Sequence, residues 1–130
     1  MNHTNTMLKS ILIVGLGSFV GGAIRYILST YMKNVCSQSF PWGTLAVNLL
    51  GCFFFGIFFA IFSKNSTTDN TLFLLLTTGL CGGFTTFSTF ANESVQMIQN
   101  GNIAGFIGYV AASIIVGFIF IALGYWIVKT

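Results

Sequence analysis

The chain has 130 residues, with five Lys or Arg, two Asp or Glu, 5% charged residues in all and 55% apolar ones, 15 of them Phe. A soluble domain carries about 25% charged residues and a disordered chain needs low hydrophobicity with high charge, so neither class fits. The net charge of +3 rests on Lys9, Arg25, Lys33, Lys64 and Lys129, which lie too far apart to form a nucleic-acid patch. An integral membrane protein remains.

A spanning helix needs about 20 apolar residues. Four of them with short loops use nearly the whole length, so the expectation is a single all-α domain with helices at 8–31, 42–63, 71–99 and 102–128. Residues 1–6 are polar and are expected to fray. The first apolar segment, 8–28, is broken only by Lys9 and Arg25. It exceeds the roughly 7–15 residues of a signal h-region and no A-x-A site follows, so it reads as a retained helix.

Residues 33–41 form a polar loop. Pro41 suits a helix start, where its missing N–H is not needed, and Trp42 sits where an interfacial aromatic is expected. The second span, 43–62, is uncharged. Residues 63–70 (SKNSTTDN) are the clearest loop. The third apolar segment, 71–90, is unusually rich in Gly, Thr and Ser. Glu93 follows beside Asn92 and Gln96 and reads as a wet helix end. Then come the turn residues Gln99-Asn100-Gly101-Asn102 and an uncharged fourth span, closed by Tyr125, Trp126 and Lys129. Four spans put Lys9, Lys64 and Lys129 on one side and Lys33, with Arg25 if it snorkels, on the other. This weak bias under the positive-inside rule permits insertion in both orientations.

Gly79-Leu80-Cys81-Gly82-Gly83-Phe84-Thr85-Thr86-Phe87-Ser88-Thr89-Phe90 carries the most information. Adjacent glycines weaken a helix by about 1 kcal/mol each relative to Ala. A break at membrane depth frees polar backbone groups that need partners, and such carbonyls suit a hard cation. Close helix packing by small residues is the alternative. Phe87 and Phe90, at i and i+3, share a helix face; their positive ring edges either line an anion path or are ordinary packing. Asn48, in line with Thr44 and Cys52 at four-residue spacing, either glues helices or offers N–H donors. Tyr109 and Ser113 place two hydroxyls on one face of the fourth span, followed by Gly117; they serve either an anion or interhelical bonding. Arg25, four and eight residues beyond Gly21 and Gly17, is a functional candidate because an arginine in a span is costly, unless it snorkels to the headgroups. Cys36, Cys52 and Cys81 have no CxxC spacing and His3 is the only histidine, so neither a zinc site nor a disulfide framework has support. No catalytic constellation is present, and no enzyme is expected.

Gly21-Gly22-Ala23-Ile24-Arg25, Pro41-Trp42-Gly43-Thr44-Leu45-Ala46-Val47-Asn48-Leu49-Leu50-Gly51 and Gly82-Gly83-Phe84-Thr85-Thr86-Phe87-Ser88-Thr89-Phe90 together resemble, in order, spacing and chain length, the Fluc family of fluoride channels, also called CrcB. The resemblance implies an antiparallel dual-topology homodimer in the cell membrane. It implies two fluoride pores and passive fluoride export. It also implies a third helix broken near Gly82-Gly83, whose Gly82 and Thr85 carbonyls hold a structural Na⁺ at the dimer centre. It places Phe87, Phe90, Asn48, Ser88, Thr89, Tyr109 and Ser113 along the pore and Arg25 in the vestibule. Gly117 stands where some members have another hydroxyl. A small four-helix drug/proton antiporter is the rival class; it needs a carboxylate at membrane depth, and Glu93 is the nearest.

Overall fold

A computed structural model describes residues 2–65 and 70–130. The elements are α1 (His3–Val35), α2 (Trp42–Lys64), α3 (Asn70–Leu74), a π-helical stretch (Leu75–Cys81), α4 (Gly82–Phe84), α5 (Phe87–Gln99) and α6 (Ile103–Lys129). No strand occurs among the described residues. Four helical segments are long and apolar enough to cross a membrane: His3–Val35, Trp42–Lys64, Asn70–Gln99 and Ile103–Lys129. The third is a composite of α3, the π-helical stretch, α4 and α5.

Helix ends follow local chemistry. Residues 3–6, expected to fray, are helical, and Asn2 accepts backbone hydrogen bonds from Asn5 and Thr6 at 3.0 and 3.3 Å. Pro41 sits one position before α2, its carbonyl accepting from the Leu45 N–H at 3.2 Å. Trp42 packs against Phe40, ring centroids 4.6 Å apart. Of the loop expected at 63–70, Ser63 and Lys64 belong to α2 and Asn70 to α3, while 66–69 lie outside the described residues.

The turn at 99–102 caps two helices. Gly101 adopts φ 75°, its N–H bonds the Ile98 carbonyl at 3.0 Å and the Asn102 N–H bonds the Met97 carbonyl at 2.8 Å. These are the two bonds of a Schellman stop, which needs a left-handed residue and so favours Gly. Asn102 then starts α6, its Oδ1 accepting from the Gly105 N–H at 2.9 Å.

The helices associate chiefly as two pairs, α2 along α6 and α1 along the π-helical stretch and α4. Glycines let the backbones meet. Gly56 of α2 lies under the Ile121 carbonyl, and Gly124 of α6 under that of Phe53. A Cβ at Gly17 would come 2.6 Å from the Leu75 carbonyl oxygen, and one at Gly83 2.6 Å from that of Ser18. Large apolar side chains such as Phe19, Ile27, Ile115 and Phe118 stay exposed on the outside, as lipid-facing surface requires.

Gly124→Val is expected to destabilise the fold by about 1–3 kcal/mol, the usual cost of overpacking. Gly108→Ala, where nothing lies within 4 Å of an added Cβ, should leave it unchanged or slightly more stable. Thermal unfolding of the two variants in detergent, followed by monodispersity, measures the difference; equal midpoints would refute the close-packing role.

Candidate functional site

The centre of the molecule is the interruption of the third span. The backbone remains helical through both glycines expected to break it; Gly82 has φ −61° and ψ −41°. It turns extended two residues further on, at Thr85 (φ −89°, ψ 159°) and Thr86 (φ −149°, ψ 120°). Paired threonines favour that departure because their hydroxyls offer the backbone alternative partners. Thr86 caps α5: its Oγ1 accepts from the Thr89 N–H at 3.2 Å and donates to Thr89 Oγ1 at 3.1 Å.

Side chains from two other helices bind the exposed backbone. Asn48 of α2 accepts from the Thr86 N–H through Oδ1 at 2.8 Å and donates through Nδ2 to the Thr86 carbonyl at 3.1 Å. Arg25 of α1 donates through Nε to the Gly83 carbonyl at 3.0 Å. In an uninterrupted helix the Thr86 N–H would serve Gly82 and the Thr89 N–H would serve Thr85. Both donors are diverted here, so the Gly82 and Thr85 carbonyls lose their helical partners.

A second polar cluster ties α5 to α2 and α6. Glu93 accepts from Thr44 Oγ1 at 2.7 Å and from the Tyr109 hydroxyl at 2.8 Å. Glu93 is therefore half-buried and doubly bonded, and it lies within the third helical segment rather than beyond it. Tyr109 is fully buried. Its ring is held edge-on by Phe40 at 5.4 Å and Phe90 at 5.0 Å. Phe90 also meets Phe87 at 5.8 Å, whereas Phe87 itself is 79% exposed at the start of α5. Ser88 is exposed beside it and Thr89 is half-buried. Ser113, one turn beyond Tyr109, has a buried hydroxyl with no partner. Past it, Gly117 faces Cys52, whose Sγ would lie 3.7 Å from an added Cβ.

A cavity of about 470 Å³ opens onto Thr44, Thr89 and Glu93 from the end bounded by Lys33, Cys36 and Asn100. The structure thus joins Asn48 to Thr86, and Phe90 to both Phe87 and Tyr109. It leaves Ser113 apart from these bonds and holds Arg25 at the break, off the cavity wall. Glu93 with Thr44, and the π-helical stretch, escaped sequence reasoning. The usable signal was Thr44, four residues before Asn48 on the same face of α2.

Residues 12–125 match the family described as CrcB-like protein, Camphor Resistance (CrcB). The chain belongs to the CrcB family. Relatives of the same family include proteins called fluoride-specific ion channel FluC from Phocaeicola vulgatus, 43% identical over 92% of this chain and 98% of that one, and from Leptospira interrogans, 42% identical over 93% and 95%. Another so named, from Chloroflexus aurantiacus, is 37% identical over 90% of this chain and 93% of its own. With four apolar spans, this CrcB member is a multi-pass membrane protein.

Removing the clasp on Thr86 should loosen the interruption. Asn48→Ala leaves the Thr86 N–H without its partner, a cost of about 1–3 kcal/mol if it stays buried, while the Thr86 carbonyl keeps the first backbone bond of α5. Amide hydrogen exchange of residues 84–90, measured by mass spectrometry in detergent, is expected to speed up at least tenfold. Exchange as slow as in the wild type would mean that Asn48 does not hold the break.

Proposed function

We propose that this protein is a fluoride-selective channel of the cell membrane, passively exporting fluoride from the cytoplasm as an antiparallel, dual-topology homodimer with two pores. The observation that carries this reading is the Ser113 hydroxyl, buried without a partner one turn from Tyr109. A buried hydroxyl with no protein partner is costly in an apolar environment, and a donor kept for a small, strongly hydrated anion accounts for it. The relatives named fluoride-specific ion channels support the choice of anion.

A pore for such an ion must replace water with donors and still release the ion. Asn48, Ser88, Thr89 and Ser113 supply neutral N–H and O–H groups, while Tyr109 gives its single O–H to Glu93 and so lends the path its ring rather than its hydroxyl. Phe87 and Phe90 supply ring edges with positive character. The exposure of Phe87, at the point where the third span is interrupted, fits a surface completed by a second copy.

The structural Na⁺ belongs to the same proposal. The donor set fits a hard monovalent ion: two neutral carbonyls per chain, Gly82 and Thr85, with their helical donors engaged elsewhere. Gly82 is exposed, with nothing closer than 3.8 Å to an added Cβ, so a partner can approach it. Two antiparallel copies would bring four such oxygens together. Bound there, Na⁺ supplies positive charge to carbonyls that lack donors; it is not transported.

The second reading, a proton-coupled antiporter, gains from one observation, the carboxylate of Glu93 within the third span. Its two hydroxyl partners favour instead a structural role, a carboxyl group that ties α5 to Thr44 of α2 and Tyr109 of α6.

The two readings part in liposomes loaded with potassium fluoride. A channel moves net charge, so efflux at a fluoride electrode should need valinomycin to carry K⁺ and should proceed without a pH gradient. Fluoride efflux no faster than from protein-free liposomes, together with cationic-drug transport driven by a proton gradient, would establish the antiporter, and chloride leaving as fast as fluoride would remove the selectivity. In the same assay Phe90→Ile, which keeps apolar bulk and loses the ring quadrupole, is expected to cut fluoride efflux about tenfold, more than the 0.5–1.5 kcal/mol of a typical aromatic pair implies because every passing ion meets the ring. Wild-type efflux in that variant would make the ring ordinary packing.

A further inference from the structure

We infer that Arg25 is a positioning residue for the interrupted span: its Nε–H takes the place of the helical donor that the Gly83 carbonyl loses, and so fixes where α4 ends and α5 begins. The extended backbone at Thr85 and Thr86 carries the Phe87 N–H away from Gly83, and Arg25 Nε donates to that carbonyl at 3.0 Å. A cation at the C-terminal end of a helix also meets the negative end of its dipole. The approach of α1 makes this reach possible. Gly17 lies against Gly79, Gly21 under the Leu80 carbonyl, and Ser18 Oγ donates to the Gly79 carbonyl at 3.4 Å. Residues 17, 21 and 25 therefore form one stripe that follows the third span from the π-helical stretch to its end. The cavity beside Glu93 has Lys33 on its wall, while Arg25 lines no part of it, so Arg25 is not placed to draw anions in through that opening.

The role divides the carbonyls of the break. Arg25 occupies Gly83 and Asn48 takes up the Thr86 N–H, which leaves Gly82, Phe84 and Thr85 as the carbonyls of the break whose helical donors are displaced. Without Arg25, the Gly83 carbonyl would compete with these three for any donor or cation.

The inference rests on the fluoride reading for its flux readout alone; hydrogen exchange tests it separately. Gln carries its side-chain nitrogen the same number of bonds from the backbone as Arg Nε, but no charge. Lys keeps the charge and moves the nitrogen one bond further out. A positioning role therefore predicts that Arg25→Gln preserves more fluoride efflux than Arg25→Lys, and that Arg25→Met loses at least about tenfold, as expected for a lost bond to a charged group. Amide exchange of residues 84–90 should follow the same order, slowest in wild type and Arg25→Gln, fastest in Arg25→Met. Arg25→Lys outperforming Arg25→Gln in efflux would make Arg25 a charge for attracting anions and overturn the inference, as would unchanged exchange in Arg25→Met. If Arg25→Met does not fold, the Gln and Lys variants decide. If the wild type passes no fluoride, the functional reading fails and the exchange order alone supports or refutes the role of Arg25.

Discussion

Every polar backbone group placed in hydrocarbon must find a partner, and this protein opens its third helix where that rule is hardest to meet. The rest of the molecule is arranged around the groups so released. Thr86 caps α5 with its own hydroxyl, Asn48 reaches across from α2 to both polar atoms of the Thr86 backbone, and Arg25 reaches from α1 to Gly83. Three side chains from three helices thus replace bonds that an unbroken helix would have made by itself. In return, the carbonyls of Gly82, Phe84 and Thr85 are available for something other than helix.

The second polar centre obeys the same rule for side chains. A carboxylate inside a span is costly unless its oxygens are bonded, and Glu93 receives one hydroxyl on each oxygen. Because those hydroxyls come from α2 and α6, the cluster links α5 to the most closely packed helix pair in the fold. Tyr109 is fixed twice over, at its oxygen by Glu93 and at its ring by Phe40 and Phe90. The aromatic side chain leading from this fixed point to the surface is Phe87.

The sequence made the helical, membrane-spanning class plain, because four apolar stretches with so few charges admit little else. The turn between α5 and α6 was equally readable, since the left-handed stop at Gly101 is chemistry carried by the Gln-Asn-Gly-Asn run. Position within the third span was less legible. Two glycines look like the weak point of a helix, yet Gly83 serves the close approach of α1 and Gly82 stays helical, while the chain departs at the threonines, whose alternative partners lie on other helices. Such long-range partners leave no local periodic signal. The partners of Glu93 were hidden for the same reason: they lie 49 and 16 residues away in the chain. Asn48 and Arg25 were visible as costly residues within spans, and a costly residue announces that it has a partner without naming it.

The π-helical stretch gives the close contact with α1 an angular explanation. In an α-helix each residue advances by about 100°, so positions four apart drift by about 40° around the axis with every step. A stripe of residues at four-residue spacing would soon rotate out from under a neighbouring helix. The wider π turns, in which the Gly82 N–H points to the Thr77 carbonyl five residues back, remove part of that drift over Leu75–Cys81. Leu75, Gly79 and Gly83 consequently stay beneath α1, meeting Gly17 and Ser18 in turn. The π-helical stretch sets the rotational phase of the span, and the direction in which the freed carbonyls face follows from a widening of the helix several residues before the chain opens.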